Sequence, residues 1–304
     1  MIVDGHCHAG TGDGLTGPWD TRAPLGAYLR RARAAGIART VAFAAFSSDY
    51  ARANSEVAEL CRVHAPRLIG FAFVHAKRDA GHIEEMVEDA VRRFGFRGIK
   101  AHAHDAPVTR EVFRAARRFG IPILYDIGGK TEILDLVAPE YPDVDVIVPH
   151  LGSFADDWRA HQQLLDQMVR LPNLYTDTAG VRRFDYLVQA LRRVGPRRVI
   201  FGSDGPWLHP GLELHKIRLL GLDASAEREV LGGTMLRLLQ RRRAPAPRFG
   251  WVPAIGARHA AVRQPVSHHA GEFAGSSKRS PRARALSASA TSVRCGVAYG
   301  PAHV

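Results

Sequence analysis

Short apolar runs recur eight times along residues 1–240, and each is followed by an amphipathic segment about one helix long. The runs, at 2–6, 40–46, 68–74, 98–102, 122–126, 144–150, 174–177 and 199–204, are rich in Val, Ile and Phe and lack polar alternation. Strands read this way when both of their faces are covered, as in a parallel sheet clothed by helices. The segments between them, at 27–35, 53–63, 83–94, 109–119, 131–137, 158–169 and 186–194, carry apolar residues at helical spacing. Several stop at a glycine or proline: Gly36, Pro66, Gly95, Gly120, Pro172 and Gly195. A last helix is expected over 226–239. Eight strand–helix units in about 240 residues predict an α/β fold, a (β/α)8 TIM barrel. A doubly wound open sheet is the alternative. The count of eight and the lack of G-x-G-x-x-G after the first run argue against it.

The barrel accounts for 1–240, and the remaining 64 residues are of another kind. The whole chain carries a formal charge of +12, which invites a nucleic-acid partner. Residues 241–304 hold eleven bases against the single acid Glu272, so +10 belongs to them and only +2 to the barrel. This segment is rich in Ala, Arg, Pro, Gly and Ser and shows no apolar period. It cannot bury enough surface to offset the entropy of ordering, and a basic, disordered low-complexity tail is expected. A nucleic-acid arm, a merely solvated chain and an out-of-frame translation of GC-rich DNA all stay open for it. A nearly neutral barrel offers phosphates little pull, so no nucleic acid is expected there.

No run approaches the roughly 20 apolar residues of a membrane span. Met1-Ile2-Val3-Asp4-Gly5-His6 lacks the basic-then-apolar pattern of a signal peptide. Cys7, Cys61 and Cys295 are too few and scattered for a disulfide framework, so a reducing cytoplasm is expected.

In a barrel of this kind the chemistry sits at the C-terminal ends of the strands. Here those ends carry His6-Cys7-His8, His75, Lys100-Ala101-His102, Asp126, His150, Asp177 and Asp204. A single histidine at a strand end is ordinarily a satisfied polar residue. Strands one, four, five, six and eight sending such groups into one mouth would crowd unpaired polar side chains, at a cost. A divalent cation is the simplest partner for Asp204, Asp126 and several of the imidazoles. His-x-His on a strand makes a pincer, because residues i and i+2 face the same side. Imidazole and carboxylate ligands suit zinc, and also manganese or iron. Cys7, between the two histidines, points the other way.

Several of these segments, taken together, resemble a known family. Asp4-Gly5-His6-Cys7-His8, Pro149-His150-Leu151-Gly152, Asn173-Leu174-Tyr175-Thr176-Asp177 and Phe201-Gly202-Ser203-Asp204-Gly205-Pro206 are similar to the amidohydrolase superfamily. More closely, they resemble its amidohydrolase-related branch, which includes aminocarboxymuconate-semialdehyde-type decarboxylases. Val230-Leu231-Gly232-Gly233-Thr234 resembles that branch's terminal helix, with Thr234 where Asn is usual. The resemblance covers 1–240 and none of the tail.

It implies roles. His6 and His8 would bind the metal, and Asp204 would bind it and take a proton from activated water. His150 would stand beside the ion as ligand or general acid/base. The family's fifth strand ends in a histidine ligand, where this chain has Asp126 in Pro122-Ile123-Leu124-Tyr125-Asp126-Ile127-Gly128. Asp126 is expected to bind the ion in its place, its charge lowering the ion's Lewis acidity. Lys100 would bind substrate or serve structure, or, carbamylated, bridge two metals as in binuclear members. His102 shares the period of Lys100 and would bind substrate or stand in for the missing histidine. Trp207 and His209 follow Asp204, where a substrate wall would be. Trp207 could equally be a packing residue. Arg182 and Arg183 read as a helix start or a carboxylate clamp.

The activity implied is a metal-dependent hydrolase, a cation-activated water attacking an amide, lactone or ester of a small molecule. A non-oxidative decarboxylase on the same site, and a barrel that has lost catalysis, are the alternatives. A nuclease of the TatD type is disfavoured because strand four lacks its glutamate. A homodimer is compatible with such a barrel.

Overall fold

A computed structural model of the chain describes residues 1–13, 22–154 and 156–240. The readings of the tail at 241–304 lie outside these residues. Eight parallel strands follow one another around a ring. They are β1 (Ile2–Thr11), β2 (Ile37–Ala44), β3 (Leu68–Gly70 and Ala72–Phe73), β4 (Ile99–His102), β5 (Ile123–Asp126), β6 (Val146–Val148), β7 (Leu174–Asp177) and β8 (Val199–Ile200). Each pairs with the next in parallel register. β3 is interrupted at Phe71, but Phe71 N–H still reaches Ala42 O, and Ala72 N–H reaches Gly98 O, so the ring stays continuous. It closes where β8 returns to β1: Gly5 N–H donates to Phe201 O at 2.9 Å and His8 N–H to Gly205 O at 2.6 Å. An open doubly wound sheet has no such seam. A two-residue strand, Arg22–Ala23, pairs antiparallel with the end of β1.

Gly5 makes the seam fit. A Cβ there would stand 2.8 Å from Ile200 Cγ2 and 3.2 Å from Phe201 O, so only a residue without a side chain lets β8 approach.

One helix follows each strand: α1 (Leu25–Ala34), α2 (Tyr50–Val63), α3 (Ile83–Arg92), α4 (Arg110–Phe119), α5 (Glu132–Val137), α6 (Trp158–Arg170), α7 (Phe184–Val194) and α8 (Pro210–Arg218). Their starts follow from local chemistry. Asp49 caps α2 by accepting from Arg52 N–H, and Asp157 caps α6 by accepting from Arg159 and Ala160 N–H. α4 ends at Gly120, whose φ of 63° is the left-handed turn that favours glycine. α4 also shows how the layers divide. Val112, Phe113, Ala115 and Ala116 are buried against the barrel, while Arg117 and Arg118 reach Asp143 and Glu84 outside. β5, β6 and β7 are buried along their whole length, which is why they carry no polar alternation.

One expectation needs correction, and one helix was not expected. The helix expected over 226–239 is three pieces: α9 (Ala224–Arg228), a wide turn of π type at Glu229–Gly233, and α10 (Thr234–Gln240). Gly232 breaks it because the start of the chain passes there; a Cβ on Gly232 would meet Met1 O at 2.6 Å. α8 is absent from the helical segments expected from the sequence; Pro210 is its first helical residue, where proline is well suited. Among the described residues no helix is long and apolar enough to cross a membrane.

Candidate metal centre

The C-terminal ends of the strands surround a cavity of about 700 Å³. His8, Phe46, His102, Asp126, His150 and Trp207 are among its lining residues, with Asp204 at the seam. Two of these side chains reach the cavity through an unusual backbone. His150 and Leu151 have φ of 57° and 49°, and Asp204 has φ of 53°. Residues other than glycine rarely adopt this region, and such strain collects at functional sites. His150 and Asp204 both lie just beyond the ends of their strands, β6 at Val148 and β8 at Ile200.

The tautomers of three histidines follow from their partners. His6 Nδ1 lies 2.7 Å from Asp177 Oδ2, His8 Nδ1 lies 2.9 Å from Ala44 O, and His150 Nδ1 lies 2.8 Å from Ala179 O. Carbonyl and carboxylate oxygens accept, so all three Nδ1 atoms carry the proton. The Nε2 atoms of His6 and His8 are therefore lone pairs, and both face Asp204 Oδ1, at 3.4 and 3.7 Å. Three ligand-capable atoms converge. His6 Nε2 is buried and has no hydrogen-bond partner among the described residues. An orphaned buried acceptor of this kind is costly unless something cationic fills the gap. Donors about 2.0–2.2 Å from one tetrahedral ion stand about 3.3–3.6 Å apart, close to the spacing found. The donor set therefore fits a divalent cation held by His6, His8 and Asp204.

A second trio, His6, His150 and Asp177, also brings ligand-capable atoms within 4.8 Å of one another. Asp177 is already engaged: Oδ2 holds His6, and Oδ1 accepts from His150 N–H at 2.9 Å and Ala179 N–H at 3.1 Å. It is the carboxylate that orients a ligating imidazole. Behind it Asp4, fully buried, accepts from His6 N–H, Ser203 N–H, the Ser203 hydroxyl and the Tyr28 hydroxyl. This network ties β1 to the Ser203–Asp204 turn.

The charges are strongly coupled. Burial raises the Asp204 carboxyl to about 7; His150 and Lys100 oppose this and the Asp177 and Asp126 charges add to it. Burial lowers His6 to about 4 and holds His8 well below its usual value, so both stay neutral and able to coordinate. Burial would lower His150 as well, but the hydrogen bond and charge of Asp126 outweigh it and raise His150 to about 9. Asp126 is held well below the usual carboxylate range: burial pushes it up, and His102 and His150 more than reverse this.

Residues 3–241 match the amidohydrolase family. The chain belongs to the amidohydrolase family. No curated protein matches it in sequence. Solved structures do match in fold. An amidohydrolase from Burkholderia multivorans with bound zinc is 17% identical, with a TM-score of 0.66, covering 79% of this chain and 99% of that one. A dihydroxybenzoic acid decarboxylase from Polaromonas sp. JS666, with bound manganese and the inhibitor 2-nitroresorcinol, is 16% identical, with a TM-score of 0.60, covering 80% and 98%. The 5-carboxyvanillate decarboxylase of Sphingomonas paucimobilis is 14% identical, with a TM-score of 0.62, covering 78% and 98%. At these identities the likeness is one of fold.

Within this amidohydrolase barrel the residues singled out from sequence fall into three groups. His6, His8 and Asp204 converge as described. His102 and His150 stand on either side of Asp126, their Nε2 atoms 3.1 and 3.4 Å from its Oδ2. Lys100 is fully buried and is not among the cavity-lining residues; its ammonium lies 4.8 Å from the Phe43 ring centre, and burial lowers its pKa. Trp207 is a cavity wall, its ring 4.4 Å from that of His8, and its indole N–H donates to Arg22 O. The remaining candidates serve local structure. His75 Nδ1 accepts from Arg78 N–H, His209 Nδ1 caps α8 through Gly211 N–H, and Arg182 and Arg183 pair with Asp156 and Asp185. Cys7 turns its thiol to His8 O, away from the imidazoles' converging atoms. Sequence reasoning gave no role to Asp177, Asp4, Ser203 or Tyr28. Three of them lie inside the motifs that carry the family resemblance, and Tyr28 carries no sequence signal.

Proposed function

We propose that the chain is a metal-dependent hydrolase of a small molecule, opening an amide, lactone or ester bond at the barrel mouth. The observation that carries this is the convergence of His6 Nε2, His8 Nε2 and Asp204 Oδ1. These three residues would hold the cation, with zinc the best match to two imidazoles and a carboxylate, and manganese or iron also matched. When bound, the cation supplies Lewis acidity, lowering the pKa of a water and polarising a carbonyl.

The chain's own groups do the rest. Asp204 uses Oδ1 toward the histidines, which leaves Oδ2 to take a proton from water and return it to a leaving group. A base or acid so placed contributes about 10²–10⁴ in rate. His150, held by Ala179 O on one side and Asp126 on the other, is a fixed polar side chain of the cavity lining. Phe46, Phe154 and Trp207 give the cavity apolar walls, and its volume suits a small molecule rather than a polymer. A cytoplasmic location and a small-molecule substrate belong to the same reading.

A decarboxylase is the second reading. The proton held at His150 favours it, because replacing carbon dioxide by hydrogen needs a proton delivered to carbon. The two decarboxylases of similar fold point the same way. One experiment separates them: purified protein, loaded with zinc or manganese, is given lactones, amides, esters and aromatic acids in ¹⁸O-labelled water. The hydrolase reading expects one ¹⁸O in the product acid and its loss in Asp204→Asn. Carbon dioxide release without consumption of water overturns it.

A further inference from the structure

Asp126 stands where the fifth strand would supply a metal ligand, and its surroundings are those of a different role. Its Oδ1 accepts from Gly128 N–H at 2.9 Å. Its Oδ2 faces His102 Nε2 at 3.1 Å and His150 Nε2 at 3.4 Å. The tautomer of His102 is fixed: its Nδ1 accepts from His104 N–H at 3.0 Å, so Nε2 carries the proton and donates it to Asp126. Both oxygens of Asp126 are thus engaged within the protein. Among the described residues neither trio of ligand-capable atoms includes Asp126. The pairing is also built into the sheet, since His102 and Asp126 are register partners in β4 and β5.

We propose that Asp126 is a positioning residue that braces His102 and His150 across the mouth, and is not a ligand of the ion. The ion is then left with two neutral imidazoles and one carboxylate from the chain. A second carboxylate would cancel the charge of a divalent cation and weaken its pull on water; keeping Asp126 on the histidines avoids this. The fifth strand's usual task of coordination becomes, in this chain, the orientation of two imidazoles that face substrate. His102 is a fixed neutral N–H donor, and His150 is pinned between Ala179 O and Asp126.

The inference rests on the metal reading above for its first readout, and its second readout is independent of any metal. Zinc affinity of the full chain is measured by competition with a chromogenic chelator for wild type, Asp126→Asn and Asp204→Asn. Asp126→Asn is expected to stay within about threefold of wild type, while Asp204→Asn loses more than about a hundredfold. Equal losses in the two variants overturn the proposal. The second readout is the ¹⁵N and ¹³C signals of the His102 ring in metal-free wild-type protein at pH 7.5. A proton on Nε2, protected from exchange, supports the proposal, and its transfer to Nδ1 overturns it. A wild type that takes up no zinc counts against the metal centre itself, and the His102 ring then decides the role of Asp126.

Discussion

Replacing Asp177 by Asn tests the logic of the centre without touching any of the three converging atoms. Asp177 Oδ1 accepts two backbone N–H groups, from His150 and Ala179, and Oδ2 holds His6 Nδ1 at 2.7 Å. An asparagine keeps its oxygen on the two backbone donors and so turns its NH2 toward His6 Nδ1. Two donors cannot face one another, so His6 is driven to its other tautomer. The proton moves to Nε2, the buried atom that faces Asp204 Oδ1 at 3.4 Å, and closes the gap where the cation fits. Loss of a carboxylate behind a ligating histidine costs about 10–100-fold in metal affinity. That is about 1.4–2.7 kcal/mol. Chelator competition with zinc measures it directly, and the ring ¹⁵N shifts of His6 report the tautomer. An Asp177→Asn protein that is folded by circular dichroism and binds zinc within about threefold of wild type refutes the reasoning.

Two further outcomes follow from the same geometry. The Asp204 carboxyl, near 7 without metal, must lose its proton to coordinate, whereas His6 at about 4 is already neutral. The apo protein therefore binds more protons than the loaded one below pH 7, so zinc affinity should rise about tenfold per pH unit toward 7 and flatten above it; chelator competition from pH 5.5 to 8.5 checks this, and a flat profile contradicts it. Tyr28→Phe removes the hydroxyl that donates to Asp4 Oδ2 at 2.6 Å in a fully buried network. The loss should be about 1.5–3 kcal/mol, lowering the midpoint of thermal unfolding by about 3–12 °C, and a shift under about 1 °C rules it out.

The barrel was legible because its strands are buried on both faces and its helices on one, which writes two different periodicities into the chain. The ends of β4, β5 and β7 fall where the apolar runs stop, at His102, Asp126 and Asp177. β6 is different: its apolar pattern suggests 144–150, but the strand ends at Val148. The left-handed backbone of His150 and Leu151 begins there, and no side-chain period records a non-glycine residue at positive φ. The pincer of His6 and His8 was visible in its spacing. The direction of Asp126 was not: the residue type fits a ligand, and only the placement of His102 and His150 shows two imidazole nitrogens facing it. The orienting shell behind the ligands was hidden for the same reason. Asp177 and Tyr28 matter through what they touch, 171 and 24 residues away in sequence.

The central claim is that His6, His8 and Asp204 hold one divalent cation. Elemental analysis of the purified full chain, beside His6→Ala and Asp204→Asn, tests it most directly. The account predicts about one zinc, manganese or iron per wild-type chain and strong depletion in both variants. A wild type free of metal after purification in zinc- and manganese-supplemented medium, or variants that retain it in full, would contradict the account.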